Sequence, residues 1–64
     1  MNDTQKQIVE LMKKAGLNED SCNRALDYLE TSFQQNEMLN FLRNNPSANQ
    51  IEIMAKVKEL IIRI

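Results

Sequence analysis

The residue types that carry most enzymatic chemistry are nearly missing from this chain of 64 residues. It has no histidine and a single cysteine, Cys22. A Cys–His or Ser–His pair, in which a base draws the proton from a nucleophile, therefore cannot be assembled. Nor can the Glu-x-x-His metal motif of helical bundles. Cys22 alone does not supply the thiolate and imidazole set that zinc prefers. Gly16 is the only glycine, so there is no glycine-rich loop to wrap a phosphate. The nine carboxylates are scattered over polar helix faces. The nearest approach to a calcium loop, Asn18 to Asp20, lacks the alternating ligands and central glycine of such a loop. No catalytic residue, cofactor, metal site or small-molecule substrate is expected.

What remains is a question of surfaces. The length sets one domain, residues 1–64. A chain this short buries only about 60% of the surface that its unfolded form exposes. Small folds compensate with disulfides, a metal or oligomerisation. The first two need partners that Cys22 does not have, so self-association becomes the expectation. Eight Lys and Arg against nine Asp and Glu is not the basic footprint of a nucleic-acid binder. The chain opens on Met1 and a polar stretch rather than a basic segment and an apolar core, so no signal peptide is expected. No apolar run approaches the roughly 20 residues needed to cross a bilayer. A lone cysteine fits a reducing compartment, and the cytoplasm is the expected location.

Apolar residues recur at helical spacing throughout, with few interior breakers, and predict an all-α fold of four helices. The first spans about Asp3 to Ala15, with Ile8, Leu11, Met12 and Ala15 on one face and Thr4–Gln7 at capping-box spacing. Gly16 then stands where a left-handed helix stop needs it. The second spans about Glu19 to Phe33, capped by Asn18, with Leu17 and Cys22 as a hydrophobic staple. Its stripe is Cys22, Ala25, Leu26, Leu29 and Phe33, with Asp20–Arg24 as a favourable pair opposite. The apolar phase slips after Phe33, which predicts a break within Gln34–Asn36 and a short third helix, about Glu37 to Asn44, with one long bent helix as the competing reading. Asn45–Pro46–Ser47 punctuates the chain, and a fourth helix is expected to start near residue 47. The chain also carries eight Asn and five Gln, an excess that helix capping explains in part.

The fourth helix is the most informative. Glu52, Lys56, Glu59 and Arg63 fall in one narrow polar strip, spaced for Glu52–Lys56 and Glu59–Arg63 pairs. Almost all the rest of its circumference is apolar. Lys58 divides it into two lobes: Ile53, Met54, Val57, Leu60, Ile61 and Ile64 on one side, and Ile51, Ala55 and Ile62 on the other. Three short helices can cover one broad face of this helix but hardly both lobes. Lys58 is expected to lay its stem on apolar surface, or to pair with Asp27, Glu30 or a carboxylate of a second chain. The strip is too narrow and charge-balanced, and too poor in aromatics, for a membrane-surface helix.

Cys22, Met12, Met38 and Met54 fall on apolar stripes and are expected to fill the core. Tyr28 lies off its helix's stripe and is either ordinary surface or an interface contact. A helix-turn-helix drawn from helices two and three would present Asn40 and Asn44 with Arg43 as its only cation, too little to hold phosphates.

Residues 11–42 resemble a ubiquitin-associated (UBA-like) three-helix domain in Ala15–Gly16–Leu17, Ala25–Leu26 and Phe41–Leu42. Such domains usually have Met-Gly-Phe or Met-Gly-Tyr at the first of these. The resemblance implies compact three-helix packing, and ubiquitin binding is not carried over. The expected architecture is a small four-helix bundle, its third helix short, packed around the C-terminal helix. The expected function is a non-enzymatic protein that forms a homodimer through Ile51, Ala55, Lys58 and Ile62, with Tyr28 as a further contact. The alternatives are an adaptor or inhibitor that binds a different protein through the same surface, and, third, a small DNA-binding regulator.

Overall fold

A computed structural model describes residues 1–62. They form four α-helices: α1 (Asp3–Lys14), α2 (Glu19–Tyr28), α3 (Ser32–Asn44) and α4 (Gln50–Ile62). The main packing pairs are α1 on α3, α3 on α4, α1 on α2 and α2 on α4. Each helix thus has two principal neighbours, and the four close a ring around the core. The helices do not converge on α4 as their hub; α1 against α3 is the most extensive pairing.

The core collects the stripes that the sequence marks. Ile8 and Met12 of α1, Cys22 and Ala25 of α2, Met38, Leu39 and Leu42 of α3, and Ile53, Val57 and Leu60 of α4 are all buried. Leu17 and Leu29 close it from the turns at the two ends of α2. Burial of a large aliphatic side chain contributes roughly 1.5–3 kcal/mol, and this cluster is what orders the four short helices.

Amide side chains fix most of the helix ends. Asn2 and Gln5 exchange both bonds of a capping box at the start of α1, in place of the expected Thr4–Gln7. Asn18 accepts from the Ser21 backbone N–H at 2.8 Å and caps α2. Asn49 and Glu52 make the same reciprocal pair at α4, with Glu52 N–H donating to Asn49 Oδ1 at 2.9 Å. The α4 start is therefore residue 50 rather than 47. Pro46 and Ser47 lie in a turn closed by Ala48 N–H donating to the Asn45 carbonyl.

The boundary between α2 and α3 differs most from the sequence expectation. α2 stops at Tyr28, and Thr31 and Gln34 form a capping box that starts α3 at Ser32. The third helix is consequently not short; it has 13 residues. Phe33 belongs to its first turn and faces solvent, 69% exposed, instead of extending the α2 stripe into the core. In its place two glutamines are buried. Gln34 Oε1 accepts from the Thr31 N–H and hydroxyl, while Gln35 Nε2 donates to the Leu29 carbonyl at 2.9 Å. Both side chains are paired, which removes most of the cost of burying an amide.

α1 ends in a Schellman stop. Leu17 N–H donates to the Met12 carbonyl and Gly16 N–H to that of Lys13, both near 3 Å. Gly16 has φ +102, and a Cβ there would lie 3.2 Å from Gln50 Nε2. That amide donates to the Gly16 carbonyl at 3.0 Å and ties the start of α4 to this turn. Gly16→Ala is expected to destabilise the fold by about 1–2 kcal/mol, the cost of a side chain in left-handed backbone. Thermal unfolding should show this as a midpoint lowered by roughly 5–15 °C; an unchanged midpoint would contradict the constraint.

Candidate interaction surface

α4 has two apolar faces with opposite fates. Ile53, Val57 and Leu60 point inward and are at most 2% exposed. Ile51 and Ile62 point outward, each 80% exposed. Ala55 and Lys58 are exposed as well. At about 100° per residue, positions 51, 55, 58 and 62 fall within a strip about 60° wide. The outward stripe is thus isoleucine, alanine, lysine, isoleucine along the whole length of the helix. The lobe of Ile51, Ala55 and Ile62 is the one that the other three helices leave uncovered. Ile64 and Arg63 of the sequence reading lie outside the described residues.

The edges of the stripe differ. On one side Met54 is half-buried and Ile61 is 36% exposed, so the apolar surface continues towards the core. A shallow groove lined by Gln50, Ile51, Met54, Ala55 and Lys58 follows this edge. On the other side lie Glu52, Lys56 and Glu59. Glu52 serves the helix cap and does not pair with Lys56. Lys56 instead meets Glu59 at 3.4 Å and stands 5.7 Å from the Phe41 ring centroid, within cation–π range. Among the described residues that is the one ion pair, so the expected Asp20–Arg24 pair is not formed. Lys58 has no ion pair with Asp27 or Glu30. It stands exposed in the middle of the stripe.

Tyr28, the remaining candidate, is the last residue of α2 and 54% exposed. It is accessible, but it belongs to a different helix from the stripe. Sequence reasoning missed Phe33 as an exposed aromatic; the Thr31–Gln34 capping spacing is the signal that reveals it.

Other candidates have structural roles. Cys22 is fully buried among the core side chains, and that burial pushes its thiol up from its ordinary value, with the nearby charge of Lys13 pulling weakly the other way. Such a thiol is a poor nucleophile. Arg43 donates to Gln7 and bridges α3 to α1. Among the described residues no three His, Cys, Asp or Glu gather as a metal site, and no helix is long and apolar enough to cross a membrane.

Comparison with known proteins finds no matching family model, no matching curated protein and no matching solved structure, so the UBA-like resemblance has no counterpart there.

Proposed function

We propose that this chain is a non-enzymatic interaction protein of the cytoplasm that self-associates as a homodimer through the outer face of α4. One observation carries the reading: Ile51 and Ile62, two large aliphatic side chains on one helical stripe, are both 80% exposed in the isolated chain. Single exposed apolar residues are ordinary on protein surfaces; two on one stripe, with Ala55 and the stem of Lys58 between them and Met54 and Ile61 along one edge, support an interaction site. The lack of histidine and the burial of the only cysteine support a role without covalent or acid–base chemistry.

A second copy is the occupant that the small size favours. Pairing would cover the uncovered lobe and lengthen a core that is short for four helices, and two-fold pairing is the commonest form of association. Sedimentation equilibrium of the purified chain is the test. The mass is expected to rise from one chain to two, with a dissociation constant on the order of 10–100 µM. A mass of one chain across that whole range would refute the homodimer and leave the stripe to a different protein. A DNA-binding role would require a salt-dependent duplex shift, which the near-neutral charge does not favour.

A further inference from the structure

We infer that the corner between α2 and α3 is a two-register device. The buried amide of Gln35 holds it in the register that presents Phe33 to solvent; without that amide the break slides to Gln34–Asn36 and Phe33 moves inside. The inference does not depend on self-association.

The corner turns on one carbonyl. In a helix that ran on past Tyr28, the Leu29 carbonyl would accept from the Phe33 backbone N–H, four residues ahead. Here it accepts from Gln35 Nε2 instead, at 2.9 Å and away from water. A side-chain amide thus stands where a backbone donor would. Leu29 leaves the helix at φ −90 and ψ 72, and Phe33 enters the first turn of α3 in solvent. Gln34 and Gln35 are buried in its place, at 2% and 8% exposure. An aromatic outside with two amides inside is the reverse of the usual preference.

The second register is written in the same residues. Continued at about 100° per residue, α2 would carry Phe33 onto the face of Cys22, Leu26 and Leu29 and turn Gln34 and Gln35 off it. The break would then be residues 34–36, three residues outside helix, as 29–31 are in this fold. Asn36 suits the cap of a helix starting at Glu37, and Met38, Leu39 and Leu42 would keep their common face.

Opposing effects set the balance. Burial of the Phe33 ring favours the second register. The Thr31–Gln34 capping box and the Gln35 bond favour the first. The box alone does not decide, because Asn36 offers a cap in the other register. Gln35 decides, because its loss leaves the Leu29 carbonyl buried without a donor, the costly case for any polar group. Extending α2 by one turn is the move that gives the carbonyl a donor again. Gln35 is therefore a positioning residue, acting on Phe33 through Leu29.

A tryptophan reporter tests this. The chain has no tryptophan, and Phe33→Trp places one at an exposed site. It is combined with Gln35→Met and, separately, with Gln35→Glu; both are close to glutamine in size and neither has a donor at neutral pH. Phe33→Trp alone should emit as a water-exposed indole that acrylamide quenches freely. In the Gln35 variants the emission should shift to the blue and quenching should fall. The backbone carbon shifts of residues 29–31 should turn helical by NMR, a change that mere loss of packing would not produce. A folded variant with the reporter still exposed and residues 29–31 still non-helical would overturn the inference, since the corner would then hold without the amide. Unfolding of both variants at neutral pH would overturn it as well, for the chain would have no second register to take.

Discussion

Ile53→Ala is expected to cost about 2–5 kcal/mol of folding stability, the range for cutting a fully buried aliphatic side chain back to Cβ. Ile53 is 0% exposed and sits where α4 closes on the core shared with α1, α2 and α3. The fold cannot absorb much of this. A chain of this length has roughly 3–10 kcal/mol in total, so the variant stands near the edge of folding. The thermal midpoint should fall by roughly 10–40 °C. Ile51→Ala, two residues earlier on the same helix, makes the same chemical change at a position 80% exposed. It should stay within about 0.5 kcal/mol, as surface substitutions do. Both are measured by urea or thermal unfolding at low micromolar concentration, where association contributes little to apparent stability. The comparison reads directly which side of α4 faces inward. Equal losses at the two positions would mean that the helix is rotated from the orientation described.

That orientation could be read from the sequence only in part. The division of α4 into two lobes by Lys58 follows from periodicity, and the structure buries Ile53, Val57 and Leu60 of one lobe while leaving Ile51 and Ile62 of the other in solvent. Gly16 as a left-handed stop is equally legible, because only one residue type serves there. The α2–α3 boundary is less so. Leu29 and Phe33 are four apart, so Phe33 continues the α2 stripe on paper, and periodicity has no means of seeing that the helix has already stopped. The capping residues Thr31 and Gln34 carry the boundary, but they are polar and look like surface. The burial of Gln35 shows the same blind spot. It occupies the first place of an i, i+3, i+4, i+7 stripe completed by Met38, Leu39 and Leu42, and it is buried because its amide satisfies the Leu29 carbonyl. Asn2, Asn18, Gln34, Asn49 and Gln50 show where much of the amide excess goes: it holds helix ends and the turns between them. Composition records that excess, but the partner of each amide is set by tertiary geometry, which a linear pattern does not contain.

The double variant Ile51→Lys with Ile62→Lys is expected to abolish self-association while leaving the helical fold intact. Ile51 and Ile62 are both lost from each copy, so a dimer formed through the outer face of α4 loses four isoleucine side chains at once. Each buried aliphatic side chain contributes about 1.5–3 kcal/mol, and a dimer with a dissociation constant of 10–100 µM is held by only about 5.5–7 kcal/mol. New lysines also set like charges towards one another across the interface, beside Lys58. The fold should not register the change, since both sites face solvent and lysine is a good helix former. Sedimentation of the variant should give one chain at concentrations where the natural chain gives two, with the same helical circular dichroism and an unfolding midpoint, measured at dilution, within a few degrees. Persistence of the dimer would move the interface off this stripe and towards other exposed apolar side chains, such as Tyr28 and Phe33. Loss of helicity together with mass would show instead that Ile51 and Ile62 hold the monomer together, and the distinction between the two faces of α4 would no longer stand.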